Sequence, residues 1–333
     1  MLRHGFRLGS ILVVAALAVT GCRSTGGAVA GAANPSATFR VADADLPEPL
    51  VMIAYGDMRF TDPAETEATQ PAVRRALVAK VAAEHPAAIF LNGDLPWHGV
   101  AADYTVFRDE TAVWREARLR VYPALGNHEF SRCAEAECLQ LWWDAFPELR
   151  GRRWYSVALG SRVLLIALDT DAPLTPGSEQ RAWLEGQIGG LAAATRFVVI
   201  LLHHPPVDDP QTGKLGDHNV RPNEAALADY LGRAAAATKA RFLVSAGHVH
   251  NYERFFQDGV TYLVSGGGGA RPYPVERGAA DLYQNPDFPN YHYVRLELRG
   301  GRLSATMVRL NDHARPDPHD WEIRDRFELA PVP

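Results

Sequence analysis

Five apolar runs in this chain each break off at a short polar motif. Leu50 to Tyr55 leads into Gly56-Asp57, Ala87 to Leu91 into Asn92-Gly93-Asp94, and Arg120 to Leu125 into Gly126-Asn127-His128-Glu129. Phe197 to Leu202 leads into His203-His204-Pro205-Pro206, and Arg241 to Ser245 into Gly247-His248-Val249-His250-Asn251-Tyr252-Glu253-Arg254. Short apolar runs of this kind read as buried strands, so each motif sits on the loop where a strand ends. Asp, Asp, Asn, His and His-x-His are thereby delivered to one edge of a sheet. Carboxylate and imidazole together suit divalent or trivalent first-row metals, and the ligands suffice for two ions. Taken singly, Asp57 and Asp94 read equally as strand-end caps, Asn127 as a turn residue and each His as a packed imidazole. The ordered set is what metal chemistry requires and folding does not.

Between the motifs, strands alternate with helical patterns. Helices are predicted over Pro71 to Ala83, Tyr104 to Arg115, Leu139 to Ala145, Ser178 to Leu191 and Asn223 to Ala237. Two hairpins are predicted, Trp154 to Leu159 with Arg162 to Leu168 across Gly160-Ser161, and Tyr293 to Arg299 with Arg302 to Leu310 across Gly300-Gly301. Tyr262 to Ser265 adds a further strand. This alternation implies an α/β fold of mixed sheets with helices outside. Gly266-Gly267-Gly268-Gly269 lacks the Lys and Ser/Thr of a phosphate loop and reads as a tight turn near the cluster.

The 333 residues are 47% hydrophobic with a formal charge of −5 and no run of Lys and Arg. A substantial core is therefore expected, and nucleic acid is not an expected partner. Arg3 and Arg7 precede the apolar stretch Ile11 to Val19, which is too short to span a bilayer and ends in Val19-Thr20-Gly21-Cys22. Residues 1–21 read as a signal peptide whose end resembles a bacterial lipobox, with Cys22 acylated and the mature chain anchored on the membrane in the periplasm or outside the cell. An ordinary signal peptide ending near a cysteine is the other reading. Small residues from 23 onward make 22–45 a tether, 46–315 the folded domain and 316–333 a tail that packs on the surface or frays. Export favours a local disulfide between Cys133 and Cys138; zinc would need two further ligands that their neighbourhood lacks.

The motifs resemble those of the calcineurin-like metallophosphoesterase superfamily, which run D-x-(H), GD, GNH(D/E), H and GHxH in this order. Gly-Asn-His-Glu and Gly-His-Val-His-Asn-Tyr-Glu-Arg look closest to the purple acid phosphatase branch. The resemblance covers roughly residues 50 to 310. It implies two facing mixed β-sheets flanked by helices, a four-layer sandwich, with a binuclear metal site at the strand ends. It also implies hydrolysis of phosphate monoesters by hydroxide generated at two ions (Fe, Mn or Zn), with a small phosphorylated compound as substrate. A phosphodiesterase acting on cyclic or linear nucleotides, or a non-catalytic binding lipoprotein, are the alternatives on the same fold.

Carried over residue by residue, Asp57 and His250 belong to the first metal, Asp94 bridges, and Asn127, His203 and His248 belong to the second. His128 stands beside the substrate and protonates the leaving group, as an imidazole kept charged by nearby carboxylates; Glu129 is its candidate orienting partner or simply a loop carboxylate. His204 points toward the substrate or the sheet. Two departures matter. Asp57-Met58-Arg59 has Arg where many members have a His ligand; a guanidinium has no lone pair, so Arg59 becomes a candidate phosphate contact. Gly93-Asp94-Leu95-Pro96-Trp97 has Trp where purple acid phosphatases supply a tyrosinate, leaving His98 as the candidate substitute ligand.

Overall fold

The computed structural model describes residues 34, 36–316 and 320–329. The predicted signal peptide, Cys22 and most of the tether lie outside them. No helix among the described residues is long and apolar enough to cross a membrane.

Among the described residues, thirteen strands form two sheets. In chain order they are β1 (Phe39–Val41), β2 (Leu50–Tyr55), β3 (Ala88–Leu91), β4 (Val121–Pro123), β5 (Tyr155–Leu159), β6 (Val163–Ala167), β7 (Phe197–Leu201), β8 (Arg241–Ala246), β9 (Tyr252–Gln257), β10 (Val260–Ser265), β11 (His292–Arg299), β12 (Arg302–Leu310) and β13 (Trp321–Leu329). One sheet runs β1-β5-β6-β7-β8-β10-β9 and the other β13-β12-β11-β2-β3-β4. Both are mixed: β6, β7, β8 and β10 are parallel, as are β2, β3 and β4, while β5–β6, β9–β10, β2–β11, β11–β12 and β12–β13 pair antiparallel. Helices α1 (Pro71–Ala83), α2 (Ala101–Glu110), α3 (Ala112–Glu116), α4 (Glu135–Ala145), α5 (Glu179–Gly189) and α6 (Pro222–Ala237) complete the fold.

Strand periodicity explains why the central runs are apolar throughout. In β7, Phe197, Val199 and Leu201 enter the core shared with β2, β3 and β11, while Val198 and Ile200 join the core beneath α5 and α6. Side chains alternate across the strand, so both faces are buried and every position is apolar. The predicted four-layer arrangement follows from these two cores, with α1, α2 and α4 contributing to the first. Both predicted hairpins form, and Gly300 and Gly301 carry the positive φ (54° and 82°) that a tight two-residue turn demands.

Three strands escape the sequence reading. β1 lies inside the span 22–45 assigned to the tether, pairing parallel with β5 as Phe39 packs edge-on against Tyr155 at 5.9 Å. β13 lies inside the predicted tail 316–333 and pairs with β12 from Leu303↔Leu329 to Leu310↔Trp321. Edge strands bury one face only, and β13 fills the other with charges: Arg302–Glu328 and Arg309–Glu322 pair across the ladder. β9 runs through the Tyr-Glu-Arg of the last motif, where Tyr252 and Arg254 both engage Asp325 of β13. The helix predicted over Tyr104 to Arg115 breaks at Thr111 into α2 and α3.

Candidate metal centre

Every predicted ligand follows the carboxyl end of a parallel strand: Asp57 after β2, Asp94 after β3, Asn127 after β4, His203 after β7, and His248 and His250 after β8. Ligand sites in open α/β sheets collect at these ends because loops leaving neighbouring parallel strands converge there. Here two sheets contribute, and the loops are tightly folded. Asp57 (φ 63°), Arg59 (49°), Asp94 (53°) and His248 (70°) all adopt the left-handed region. Such backbone costs on the order of 1–3 kcal/mol per residue and persists where surrounding structure enforces it. The motif glycines have a separate cause. A Cβ on Gly126 would lie 2.5 Å from Asp94 Oδ1, and one on Gly247 would lie 2.5 Å from Asp57 Oδ2. Only glycine lets the candidate ligands come so close to the backbone.

The cluster is built from lone pairs. His203 Nδ1 donates to the Asn92 carbonyl at 2.9 Å, which leaves Nε2 as an acceptor. That nitrogen stands 3.0 Å from Asn127 Oδ1, 3.2 Å from Asp94 Oδ1 and 3.3 Å from His248 Nδ1. On the other side, His250 Nδ1 donates to the Arg271 carbonyl at 2.7 Å. Its Nε2 is buried without a hydrogen-bond partner, 3.5 Å from Asp57 Oδ1. Acceptors crowded this closely repel one another unless a cation lies among them. Asp57, Asp94 and His203 place ligand atoms within 4.8 Å of one another, and so do His203, His204 and His248. These residues fit a metal pair that shares Asp94.

Charge at Asp94 reflects the same crowding. Burial alone would raise its carboxyl, but His203, His128 and Arg59 outweigh it and hold Asp94 well below the usual carboxylate range. Glu129 is fully buried and acts on backbone: its carboxylate accepts Asp94 N at 3.1 Å, Gly126 N at 2.9 Å and Leu95 N at 2.9 Å. It thereby fastens two motif loops together. Of the two readings of Glu129, the structure has the loop carboxylate and not the orienting partner of His128.

His128 Nδ1 instead lies 2.6 Å from the Trp97 carbonyl, with the ring stacked on Trp97 at 4.6 Å. The expected charged imidazole is also corrected: burial pushes its pKa down, and Arg59 adds to that while Asp94 opposes it. Arg59 lies over the Trp97 ring at 4.8 Å, with Nη2 3.4 Å from Asp94 Oδ2. The structure does not bring His98 among these ligand atoms: its Nδ1 is 2.9 Å from Ser131 Oγ and its backbone N–H donates to Asp103 Oδ2 at 2.8 Å. His204 is buried, with Nδ1 2.7 Å from Thr170 Oγ1, and burial with the nearby His203 and Arg221 charges pushes it down to about 2. The Cys133–Cys138 disulfide is formed and closes the loop behind Glu129.

Two neighbours carry no sequence signal. His218 Nδ1 lies 3.2 Å from His248 Nε2, and the Tyr273 hydroxyl donates to the His248 carbonyl at 2.8 Å. His218 follows no apolar run, so nothing in the sequence pattern marks it; only the path of the long loop after His203 brings it in.

With this geometry in hand, comparison with known proteins is informative. A profile described as calcineurin-like phosphoesterase matches residues 54–252. A probable purple acid phosphatase 20 of Arabidopsis thaliana is 29% identical over 169 residues, spanning 47% of this chain and 37% of that relative. Among solved structures, purple acid phosphatase PPD1 from yellow lupin (Lupinus luteus) seeds matches with a TM-score of 0.65 at 18% identity, over 84% of this chain and 53% of that one. GAP50, the anchor in the inner membrane complex of Plasmodium, gives 0.58 at 14% identity over 85% and 89% of the two chains. A dimetal phosphatase from Danio rerio gives 0.53 at 13% identity over 83% and 99%. At these identities the solved structures speak to the fold, and the profile speaks to lineage. The matched span runs from within β2 to the start of β9 and holds all six predicted ligands, so the chain belongs to the calcineurin-like phosphoesterase family.

Proposed function

We propose that the protein is a metal-dependent hydrolase of phosphate monoesters, held at the cell envelope through Cys22. The observation that carries the catalytic part is the convergence of His203 Nε2, Asn127 Oδ1, Asp94 Oδ1 and His248 Nδ1, four atoms of metal-ligating kind that fit around a cation. Bound ions would lower the pKa of a water molecule and neutralise charge on the phosphate oxygens. Asp57, Asp94, Asn127, His203, His248 and His250 are assigned to hold them. In hydrolysis a water oxygen forms the new bond to phosphorus, the ester P–O bond breaks, and the departing oxygen takes a proton. His128, fixed by Trp97, is assigned to give that proton in its imidazolium form, which its lowered pKa confines to the more acidic side of its ordinary range, so the assignment goes with turnover favoured at acidic pH. Arg59 supports a monoester over a diester, because a monoester carries one more negative charge and the guanidinium adds a matching positive one beside the cluster.

The test is turnover of p-nitrophenyl phosphate against bis-p-nitrophenyl phosphate by metal-loaded protein. The monoester is expected to have the higher kcat/KM by roughly tenfold, the worth of one charge-assisted hydrogen bond. A chelator should abolish turnover and added metal restore it. Preference for the diester would make this a phosphodiesterase. Inertness toward both, with metal bound, would place it with non-catalytic members of the fold.

Placement at the envelope is supported by Arg3, Arg7, the apolar run to Val19 and Thr20-Gly21-Cys22. Wild-type protein is expected in the membrane fraction of cells and Cys22→Ser in the soluble fraction, because stable anchoring requires more than one acyl chain. Identical fractionation of the two would refute the anchor.

A further inference from the structure

A cavity of about 650 Å³ adjoins the candidate metal centre and is lined by Arg59, Arg132, Arg271, Trp97, Tyr273 and His250. Its size falls in the range that holds a small organic ligand and exceeds the needs of one phosphate group. His250, whose buried Nε2 lacks a hydrogen-bond partner, joins the cavity to the metal ligands. Three guanidinium groups lining one cavity are more than a single transferred phosphate calls for. Arg59 is already engaged at Asp94, whereas Arg132 and Arg271 are exposed and pair with no carboxylate among the described residues.

Both free arginines stand on fixed backbone. Arg132 precedes the disulfide-bonded Cys133 and holds a left-handed φ of 62°. Arg271 is tied on both sides, its N–H donating to the Ala68 carbonyl at 3.0 Å and its carbonyl accepting from His250 Nδ1 at 2.7 Å. Two carboxylates also line the cavity, Glu65 and Glu67. Glu65 is turned to its own loop, where Oε1 accepts Glu67 N at 2.7 Å and Ala68 N at 3.1 Å. With Glu65 turned to its own loop, Glu67 is the one other lining carboxylate that faces Arg132 and Arg271. Planar guanidinium forks recognise carboxylate and phosphate oxygens in preference to neutral groups.

We infer that Arg132 and Arg271 form a second anion subsite, so that the substrate is a phosphate ester whose leaving group carries a further carboxylate or phosphate. The inference rests on the phosphoesterase reading for the reacting phosphate. The ligands that test it are 2-carboxyethylphosphonate and propylphosphonate, similar in size, differing in one negative charge and free of any hydrolysable bond. Calorimetric titration of metal-loaded wild-type protein is expected to show the carboxylated compound binding about tenfold tighter. Arg132→Ala and Arg271→Ala should each lower that ratio by about threefold, and the double variant should bring it close to one. Both side chains are exposed and unpaired, so their removal leaves the fold intact. Equal binding of the two compounds to wild type, or a ratio that survives in the double variant, would overturn the subsite alone. If neither compound binds, the phosphoesterase reading fails and the subsite falls with it.

Discussion

Asp94→Asn is expected to lose most bound metal and to slow turnover on the order of 10³-fold or more, since a metal pair supplies several kcal/mol of transition-state stabilisation and each 1.36 kcal/mol is tenfold. The side chain is fully buried, with its ligand atom within 4.8 Å of those of Asp57 and His203. Its Oδ1 stands 3.2 Å from His203 Nε2 and accepts the His128 N–H at 3.0 Å, while Oδ2 faces Arg59 at 3.4 Å. Asparagine keeps the volume, so packing survives. What changes is the charge and the sign of one group: an NH₂ donor replaces an anionic oxygen among lone pairs. Elemental analysis after metal loading should give about two ions per chain for wild type and fewer than one for the variant. A variant that keeps both ions and its activity would remove the shared-carboxylate reading altogether. Thermal unfolding of the metal-free proteins separates this from misfolding, because the two should then melt within a few degrees.

How much of this was legible beforehand depended on whether a residue's environment is local. β2, β3 and β7 are buried on both faces, so their apolar runs mark them and the motif at each carboxyl end inherits its position. Gly126 and Gly247 are legible as members of their motifs, but the carboxylates they make room for, Asp94 and Asp57, stand on other loops, and only the fold shows that. β1 and β13 were not, because an edge strand is specified by its partner: Phe39 needs Tyr155, and the charges of β13 need Arg302 and Arg309. Glu129 stands open in the sequence between orienting His128 and being a loop carboxylate, and the structure has the second. Nothing in Gly-Asn-His-Glu says that the carboxylate will reach past its own neighbour to the amides of Asp94 and Leu95. His98 shows the converse. Adjacent to Trp97 it looked able to replace a missing ligand, yet its backbone N–H is held by Asp103 and its ring by Ser131. His218 needed the whole tertiary path of its loop. The charge state of His128 required knowing that burial and Arg59 outweigh one nearby carboxylate.

His128→Ala is expected to keep the metal content of wild type and to lose ~10²–10⁴ in kcat on alkyl phosphates, the usual worth of a general acid. The backbone N–H of His128, and not its ring, binds Asp94 Oδ1, so truncating the side chain leaves that contact in place. The ring belongs to neither metal-capable group and is steadied instead by the Trp97 carbonyl and the stacked indole. A proton donor matters in proportion to the basicity of the departing oxygen. Glycerol phosphate releases an alkoxide that must be protonated as it leaves, whereas p-nitrophenyl phosphate releases a stable phenolate that needs no proton. The loss on the aryl ester should therefore be smaller by at least about tenfold. Equal losses on the two esters would make His128 a phosphate-positioning residue. Loss of metal would place it among the ligands, where the 3.8 Å between its Nε2 and Asp94 Oδ2 would then need a cation to account for it.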